Sequence, residues 1–400
     1  MDVSKRAQDI PPFIVMDVLE KAVSMQEAGI DVIHLEVGEP DFDTPASIKE
    51  AAMKAQAANQ SHYTHSLGII ELRKAIADDY HKRYNVQVSP DQIILTAGSS
   101  PAMLLLFSAM LEQDDEIIVS DPSYSCYTNF INFLGGKPVL VPVSEDDAFQ
   151  YKPEDIAAKL TSRTKGIMIN SPANPTGQLL TKPRMEAIAK LASGENGPPY
   201  VISDEIYHGL VYDNQPSHSI LEFTPNAFVL GGFSKLYAMT GWRLGFMIAP
   251  KQFMRPIQKM HQNFSICAPS IAQWAALAAF TEAKRVQEDI DRMLAEYDRR
   301  RIRIVQELRD LGFSIPVVPQ GAFYVFTRCD HLNPNDYELA FHILENAHVA
   351  VTPGRDFGPG GHGFIRLSYA SSLENIDEAL RRLREYIKKF YPEQARKAGL

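Results

Sequence analysis

One lysine, Lys235, stands in the short polar turn of GGFSKLYAMTGWRLGFMIAP, between two apolar runs. Ser234 precedes it, and Arg243 stands where the second apolar run begins. A lysine in a turn is most often solvated. An amine that is buried beside a cation has a lowered pKa, however, and it can then act as a nucleophile or a base near neutral pH. The neighbours of Lys235 decide between these two interpretations.

Other polar residues follow apolar runs at the same kind of position. Asp204 and Tyr207 follow YVIS, and Asn174 lies in the irregular ANPTG turn after GIMINSP. Ser99 and Ser100 follow QIILTAG and open a helical pattern. Taken singly, each of these residues is also typical of a helix cap, a turn or ordinary packing. In open α/β sheets, however, ligands bind beyond the carboxyl ends of the strands, so we expect these residues to meet.

This set of residue types matches the requirements of pyridoxal 5'-phosphate. We expect Lys235 to form a Schiff base with the cofactor aldehyde. Asp204, as a carboxylate, would keep the pyridine nitrogen protonated, so that the ring accepts electrons from the substrate Cα. Tyr207 and Asn174 both carry donors that can hydrogen-bond the ring oxygen beside the aldehyde carbon.

The cofactor phosphate needs a cluster of donors, and its ring needs an apolar cover. We expect the phosphate to be bound by the backbone of Ser99 and Ser100, the Ser234 hydroxyl and the Arg243 guanidinium. Tyr124, in DPSYSCY, follows the run EIIVS and is a candidate to stack on the ring.

A substrate carboxylate also needs a partner, and Arg366 in FIRLSYA is the candidate. On a strand it shares one face with Phe364 and Ser368, so an arginine in so apolar a run needs an anion. The planar guanidinium suits two-point binding of a carboxylate. A structural ion pair within the protein is an equally open interpretation.

The elements that position these residues form an α/β pattern. Most of the apolar runs between about residues 92 and 250 are continuous, which is typical of strands covered on both faces. The seven runs are QIILTAG, EIIVSDP, KPVLVPV, GIMINSP, YVISDE, AFVLGGFSK and GWRLGFMIAP. They predict a mainly parallel, seven-stranded sheet sandwiched by helices.

At 400 residues the chain is long enough for a second lobe. Residues 270–312 have the pattern of a long helix with at most one break, which ends at Gly312. The remainder of the chain mixes strands with helices. We predict a large domain over residues 46–290 and a smaller α+β domain over residues 291–400. We expect residues 1–45 to join the smaller domain.

Composition narrows the classes of partner. A formal charge of -9 argues against binding to nucleic acid or to an anionic membrane. The three cysteines are far apart and lack a CxxC pattern, which favours a reducing compartment, and we predict the cytoplasm.

His62 and His65 are spaced like helical metal ligands, but their segment has the pattern of a loop, so we predict no metal site.

At these motifs the chain resembles the class I aminotransferases, which are fold-type I pyridoxal-phosphate enzymes. The resemblance runs nearly end to end, through VGEPDFDTP, HYTHSLGIIELRKAIADDY, LTAGSSPAM, DPSYSCY, NSPANPTG, SDEIYHGLVY, FSKLYAMTGWRLGF, GAFYVF and FIRLSYA. It implies a large cofactor domain, a small domain from both chain ends, and a homodimer with active sites at the subunit interface. It also implies that Tyr63 reaches the partner subunit's cofactor phosphate and that the Gly38 backbone approaches the substrate carboxylate.

We therefore predict an enzyme that moves an amino group from an α-amino acid to a 2-oxo acid by ping-pong chemistry, with Lys235 carrying the proton from Cα. A β-lyase, a decarboxylase or a cyclopropane-forming synthase would begin from the same complex and is the alternative. A non-catalytic regulator that binds the cofactor is a more remote one. No basic residue is clearly placed for an acidic side chain, so small neutral and aromatic amino acids remain open as substrates.

Overall fold

A computed structural model describes residues 3–192 and 199–400 of the chain. Residues 1–2 begin the predicted N-terminal segment, and residues 193–198 fall within the predicted large domain. Both stretches lie outside the described residues.

The described part of the chain alternates strands with helices over most of its length. The strands are β1 (Ile33–His34), β2 (Ile93–Thr96), β3 (Glu116–Asp121), β4 (Lys137–Pro142), β5 (Thr164–Asn170), β6 (Tyr200–Asp204), β7 (Ala227–Gly232), β8 (Gly245–Ile248), β9 (Tyr324–Arg328), β10 (Val349–Ala350), β11 (Thr352–Pro353) and β12 (Phe364–Ser368). The α-helices are α1 (Lys5–Asp9), α2 (Ile14–Glu27), α3 (Ala46–Ala57), α4 (Ile70–Tyr84), α5 (Ser99–Met110), α6 (Cys126–Phe133), α7 (Pro153–Ala157), α8 (Lys182–Leu191), α9 (Lys251–Phe264), α10 (Ser270–Thr281), α11 (Ala283–Asp310), α12 (Asp336–Ala347), α13 (Leu373–Phe390) and α14 (Pro392–Ala398). Short 3-10 turns cover Pro90–Gln92, Glu145–Asp147, Ile220–Glu222, Gly354–Phe357 and Pro359–Gly361.

Seven strands form the central sheet, in the order β2-β8-β7-β6-β5-β3-β4. Strand β8 runs antiparallel to both of its neighbours, and the other paired strands run parallel. Each of the seven apolar runs supplies one strand. The predicted α/β fold, with a mainly parallel seven-stranded sheet, is confirmed.

The continuous apolar runs are explained by cover on both faces of this sheet. Along β2, Ile93 and Leu95 belong to one buried cluster, whereas Ile94 belongs to another. The same alternation occurs along β6, where Val201 joins the first cluster and Ile202 the second. Because side chains alternate across a strand, a strand that is buried on both faces needs apolar residues at every position.

The two ends of the described chain meet in smaller sheets. Strand β1 pairs in parallel with β10, and β11, β12 and β9 form an antiparallel sheet of three strands. The backbone N–H of Ser368 donates to the Leu35 carbonyl at 2.7 Å, which ties residues near the N-terminus to β12. The arginine of β12 is therefore held beside N-terminal residues.

The predicted long helix is two helices, α10 and α11, with a break at Glu282 and an end before Gly312, whose φ is +91°. Helix α11 runs across residue 290, where the domain boundary is predicted. The division at residues 45 and 290 stays a prediction.

None of the helices in residues 3–192 and 199–400 combines the length and the apolar character that a membrane span requires.

Candidate active site

All but one of the predicted site residues line a single cavity of about 610 Å³. Most of them lie just after the carboxyl ends of the central strands, as the parallel topology requires. The predicted residues that line the cavity are Gly38, Ser99, Ser100, Tyr124, Asn174, Asp204, Tyr207, Ser234, Lys235, Arg243 and Arg366. The exception is Tyr63, whose side chain is 79% exposed and does not line the cavity of its own chain.

Lys235 follows β7 and is partly buried at the cavity wall. Its Nζ donates to the backbone carbonyl of Gly38 at 2.6 Å. Burial lowers the pKa of Lys235 to about 8; the charge of Glu39 opposes this shift, whereas Arg366 and Arg243 add to it. A substantial fraction of the amine is therefore neutral near physiological pH, as a nucleophile or base requires.

Asp204 ends β6 and is buried, with 4% of its surface exposed. Its Oδ2 accepts a hydrogen bond from the Tyr127 hydroxyl at 2.7 Å, and its Oδ1 accepts one from the Ile206 backbone N–H at 3.1 Å. Burial raises the pKa of Asp204 to about 6, against the opposing effect of these two donors. The carboxyl group is thus mostly ionised at neutral pH and lines the cavity.

Tyr207 and Asn174 each contact a residue on the C-terminal part of the chain. The Tyr207 and Tyr324 hydroxyl oxygens lie 2.6 Å apart, and Asn174 Oδ1 accepts a hydrogen bond from Arg366 Nη1 at 2.9 Å. Burial holds the pKa of Tyr207 well above its usual range, so its phenol stays protonated and can donate. The two residues therefore link the edge of the central sheet to the three-stranded sheet, where Tyr324 lies on β9 and Arg366 on β12.

Arg366 lies in the middle of β12 and is 4% exposed. Its Nη2 donates to the Glu36 backbone carbonyl and to Thr352 Oγ1, the latter at 3.2 Å, while its Nε has no hydrogen-bond partner. Its guanidinium carbon stands 4.4 Å from the centre of the Tyr324 ring. Among the described residues, no carboxylate forms a salt bridge with Arg366, so the structural ion pair left open by the sequence is not formed.

Helix α5 begins at Ser99 and points its N-terminal end into the cavity. The first backbone N–H groups of a helix lack intrahelical acceptors, so they suit an anion. The residue before it, Gly98, has φ +107°, and a Cβ there would lie 2.7 Å from Arg243 Nη2. The absence of a side chain lets Arg243 lie against this helix start. Ser234, which is buried, lines the same cavity.

Several lining residues were missed by the sequence reasoning. Tyr127 and Tyr324 stand inside quoted motifs, DPSYSCY and GAFYVF, so a systematic search of every polar residue in those motifs would have found them. Phe13, Val15 and Met16 lie outside the quoted motifs and carried no such signal. The missed lining residues are Phe13, Val15, Met16, Val37, Glu39, Met103, Tyr127, Asn170, Ile206, Thr240 and Tyr324.

Comparison with known proteins identifies the family. The chain matches the family model for aminotransferase class I and II over residues 30–383, and it belongs to this family. It is therefore an aminotransferase with a fold-type I architecture, and the predicted resemblance is confirmed.

Two relatives and one solved structure illustrate the similarity. The chain is 41% identical to the (5-formylfuran-3-yl)methyl phosphate transaminase of Methanocaldococcus jannaschii, over 97% of this chain and 100% of the relative. It is 37% identical to the aspartate/prephenate aminotransferase of Thermus thermophilus, over 95% and 97% respectively. A solved structure of aspartate aminotransferase from Thermus thermophilus with maleate superposes with a TM-score of 0.92 at 36% identity, covering 96% of this chain and 99% of the other. The names of these relatives differ in substrate, so the shared property is the transfer of an amino group.

Proposed function

We propose that this aminotransferase binds pyridoxal 5'-phosphate in the cavity and transfers an amino group between an α-amino acid and a 2-oxo acid, with Lys235 as the residue that bonds to the cofactor. One observation carries the proposal. Lys235, with a pKa of about 8, shares one cavity with the buried carboxylate of Asp204 and with Arg366, which has no anionic partner among the described residues. When bound, the cofactor supplies an aldehyde for the amine and a ring that accepts electrons from the substrate Cα.

The phosphate would be bound where α5 begins. The N-terminal N–H groups of the helix, the Ser234 hydroxyl and the Arg243 guanidinium form a donor cluster that fits a dianion. The close approach of Arg243 to Gly98 supports this assignment, because any side chain at residue 98 would occupy the space beside the guanidinium.

Asp204 would pair with the pyridine nitrogen. A carboxylate that is held by two donors and shielded from water interacts strongly with a single nearby cation. The Tyr207 phenol and the Asn174 side-chain amide would donate to the ring oxygen. Tyr124, whose ring packs edge-on against Tyr127 with centroids 5.4 Å apart, would cover the ring face.

Arg366 would bind the substrate carboxylate, because its guanidinium is buried, oriented by Glu36 and Asn174, and not neutralised by any carboxylate in residues 3–192 and 199–400. The amine of Lys235, once free, would act as the base that takes a proton from the substrate Cα and as the acid that gives the proton up again. A pKa near 8 lets the amine both accept and release this proton near neutral pH. The Gly38 carbonyl, 2.6 Å from Nζ, would hold the amine while it carries the proton.

We also propose a homodimer, and the position of Tyr63 supports it. The loop that carries Tyr63 is joined to α9 through Ser66, whose hydroxyl accepts from Gln258 Nε2 at 2.9 Å. Exposed apolar side chains lie in this loop, at the start of α4 and at the end of α9, and exposed apolar surface of this kind is typical of an interface. They are Tyr63, Ile70, Phe264 and Ile266. We expect this surface to be covered by a second copy of the chain, with Tyr63 directed at the partner's phosphate site.

We further propose that residues 1–45 and 291–400 act as a small domain against residues 46–290. The pairing of β1 with β10 supports this division. The three cysteines, none of them in a disulfide, favour a reducing compartment, and we propose the cytoplasm.

The proposal is tested by following the visible absorbance of the cofactor-loaded protein during addition of single amino acids and then of a 2-oxo acid. We expect the band to disappear with an amino acid and to return with the oxo acid. Lys235→Ala should abolish the cycle, whereas Lys251→Ala, which removes an exposed lysine at the start of α9, should leave it intact. Steady release of ammonia or carbon dioxide without an oxo acid would contradict the proposal and favour a lyase or a decarboxylase.

A further inference from the structure

One wall of the cavity comes from the first turn of α2. Phe13, which caps this helix, lines the cavity together with Val15 and Met16. All three side chains are apolar. Phe13 also packs edge-on against Tyr124, with ring centroids 6.0 Å apart, so the wall continues into the aromatic residues of the site.

This wall lies on the Arg366 side of the cavity. The backbone N–H of Ile14 donates to Asp356 Oδ1 at 2.9 Å, and Asp356 is 5% exposed in the turn Gly354–Phe357. The next residue in that turn, Phe357, places its ring centre 5.0 Å from the Arg366 guanidinium carbon. The same turn therefore touches both the α2 wall and the arginine. A substrate bound at Arg366 by its carboxylate would therefore lie within reach of the α2 wall.

Within the described part of this chain, the charged residues that line the cavity leave no free cation for a second substrate carboxylate. The cations that line it are Lys235, Arg243 and Arg366, and each already has a role at the amine, the phosphate or the carboxylate. The remaining charged lining residues, Glu39 and Asp204, are acidic. Asp356, whose Oδ2 has no hydrogen-bond partner, adds a further acidic group behind the wall. A carboxylate on the substrate side chain would lose its hydration without gaining a cation from these residues.

We infer that the amino-acid substrate carries an uncharged, apolar side chain, of the leucine or phenylalanine kind, and that Phe13, Val15 and Met16 form its subsite. The inference rests on the proposed function, because it takes Lys235 and Arg366 as the groups that orient the substrate. Asp356 acts as a positioning residue, since it holds the helix start that carries the wall.

Binding of unreactive acids tests this directly. The probes are 3-phenylpropionate, which has one carboxylate and an apolar end, and glutarate, which has two carboxylates. Calorimetric titration of the cofactor-loaded protein should show 3-phenylpropionate bound at least about tenfold more tightly than glutarate. Tighter binding of glutarate would overturn the inference.

A variant with a charge added to the wall tests the assignment of the subsite, and a variant with the same charge elsewhere on the helix is its control. Met16→Lys adds a cation at the subsite and should reduce the preference for 3-phenylpropionate about tenfold. Val23→Lys adds the same charge to an exposed position seven residues further along the same helix, about 10 Å away, and should leave the preference unchanged. Equal effects of both substitutions, or no effect of Met16→Lys, would overturn the assignment of the wall.

Amino acids separate a failure of this inference from a failure of the proposed function. If aspartate and glutamate complete the half reaction and leucine and phenylalanine do not, the side-chain subsite is wrong while the transamination chemistry stands. If no amino acid changes the cofactor absorbance and neither acid binds, the proposed function fails and the inference with it.

Discussion

Lys235 Nζ donates to the backbone carbonyl of Gly38 at 2.6 Å, although 197 residues separate the two in the chain. Gly38 follows β1, which pairs with β10 near the other end of the chain. Glu39, directly after Gly38, accepts a hydrogen bond from the Thr240 hydroxyl and is the charge that most raises the pKa of Lys235. The N-terminal segment therefore contributes both a hydrogen bond and a charge to the amine.

The first prediction concerns this charge. The neutral form of Lys235 attacks the cofactor aldehyde, so the rate at which apoprotein takes up pyridoxal 5'-phosphate should rise with pH through about 8. Glu39→Gln removes the charge that favours the protonated amine, which lowers the pKa of Lys235 and moves this rise to lower pH. Stopped-flow absorbance across a pH series measures the midpoint. Glu20→Gln, an exposed position on α2, is the control; a midpoint that moves upward or does not move contradicts the prediction.

The second prediction concerns Asp204, whose pKa of about 6 is held down by the Tyr127 hydrogen bond. Tyr127→Phe removes that donor, so the pKa of Asp204 should rise and its charge should be lost at a higher pH. We expect the acid limb of the kcat profile to move to higher pH, with a smaller loss at pH 8 than at pH 6. Tyr151→Phe removes a buried hydroxyl that donates to the Met168 carbonyl outside the cavity, and its profile should keep the original acid limb.

The third prediction concerns the space at Gly38. A Cβ there would lie 1.9 Å from the Tyr324 hydroxyl oxygen, so Gly38→Ala must displace that ring or the N-terminal segment. The Tyr207–Tyr324 hydrogen bond would then break, and we expect kcat/KM to fall roughly a hundredfold, because a small misplacement of orienting groups costs this much. The double variant Gly38→Ala/Tyr324→Phe removes the nearest clashing atom, so it should recover the part of the loss that comes from displacement of the N-terminal segment, but not the part that comes from the missing Tyr207–Tyr324 hydrogen bond. Full activity in Gly38→Ala would show that the close approach has no functional consequence.

The fourth prediction follows from the proposed homodimer. Tyr63→Ala and Lys235→Ala proteins should each be inactive or strongly impaired. If Tyr63 serves the partner's site, a mixed dimer contains one site with both changes and one with neither. Refolding the two variants together at equal amounts should restore about a quarter of the original activity. Mixing Lys235→Ala with Asp204→Asn, which affect the same chain's site, should restore none; recovery there, or no recovery in the first mixture, counts against shared sites.

Much of the fold and half of the residues that line the cavity could be predicted, because they follow from local sequence patterns. The continuous apolar runs required strands covered on both faces, and parallel strands place their carboxyl ends along one edge. That rule alone predicted that Ser99, Asn174, Asp204 and Lys235 lie close together, and all four line the cavity. The antiparallel direction of β8 was not predicted, since strand direction depends on how the connecting segment crosses the sheet.

The rest depended on contacts between segments far apart in the chain. The sequence left Arg366 with two interpretations, and only the packing of β12 against residues 35–36 and Asn174 decided that it has no carboxylate partner among the described residues. The position of the apolar wall from α2 could likewise not be predicted from the sequence. It depends on the hydrogen bond to Asp356, which is more than 300 residues away in the sequence. The sequence thus determined the residue types, the sheet and the edge at which they gather. The tertiary structure decided which groups face one another, because side-chain contacts and local charge depend on distances that no sequence spacing encodes.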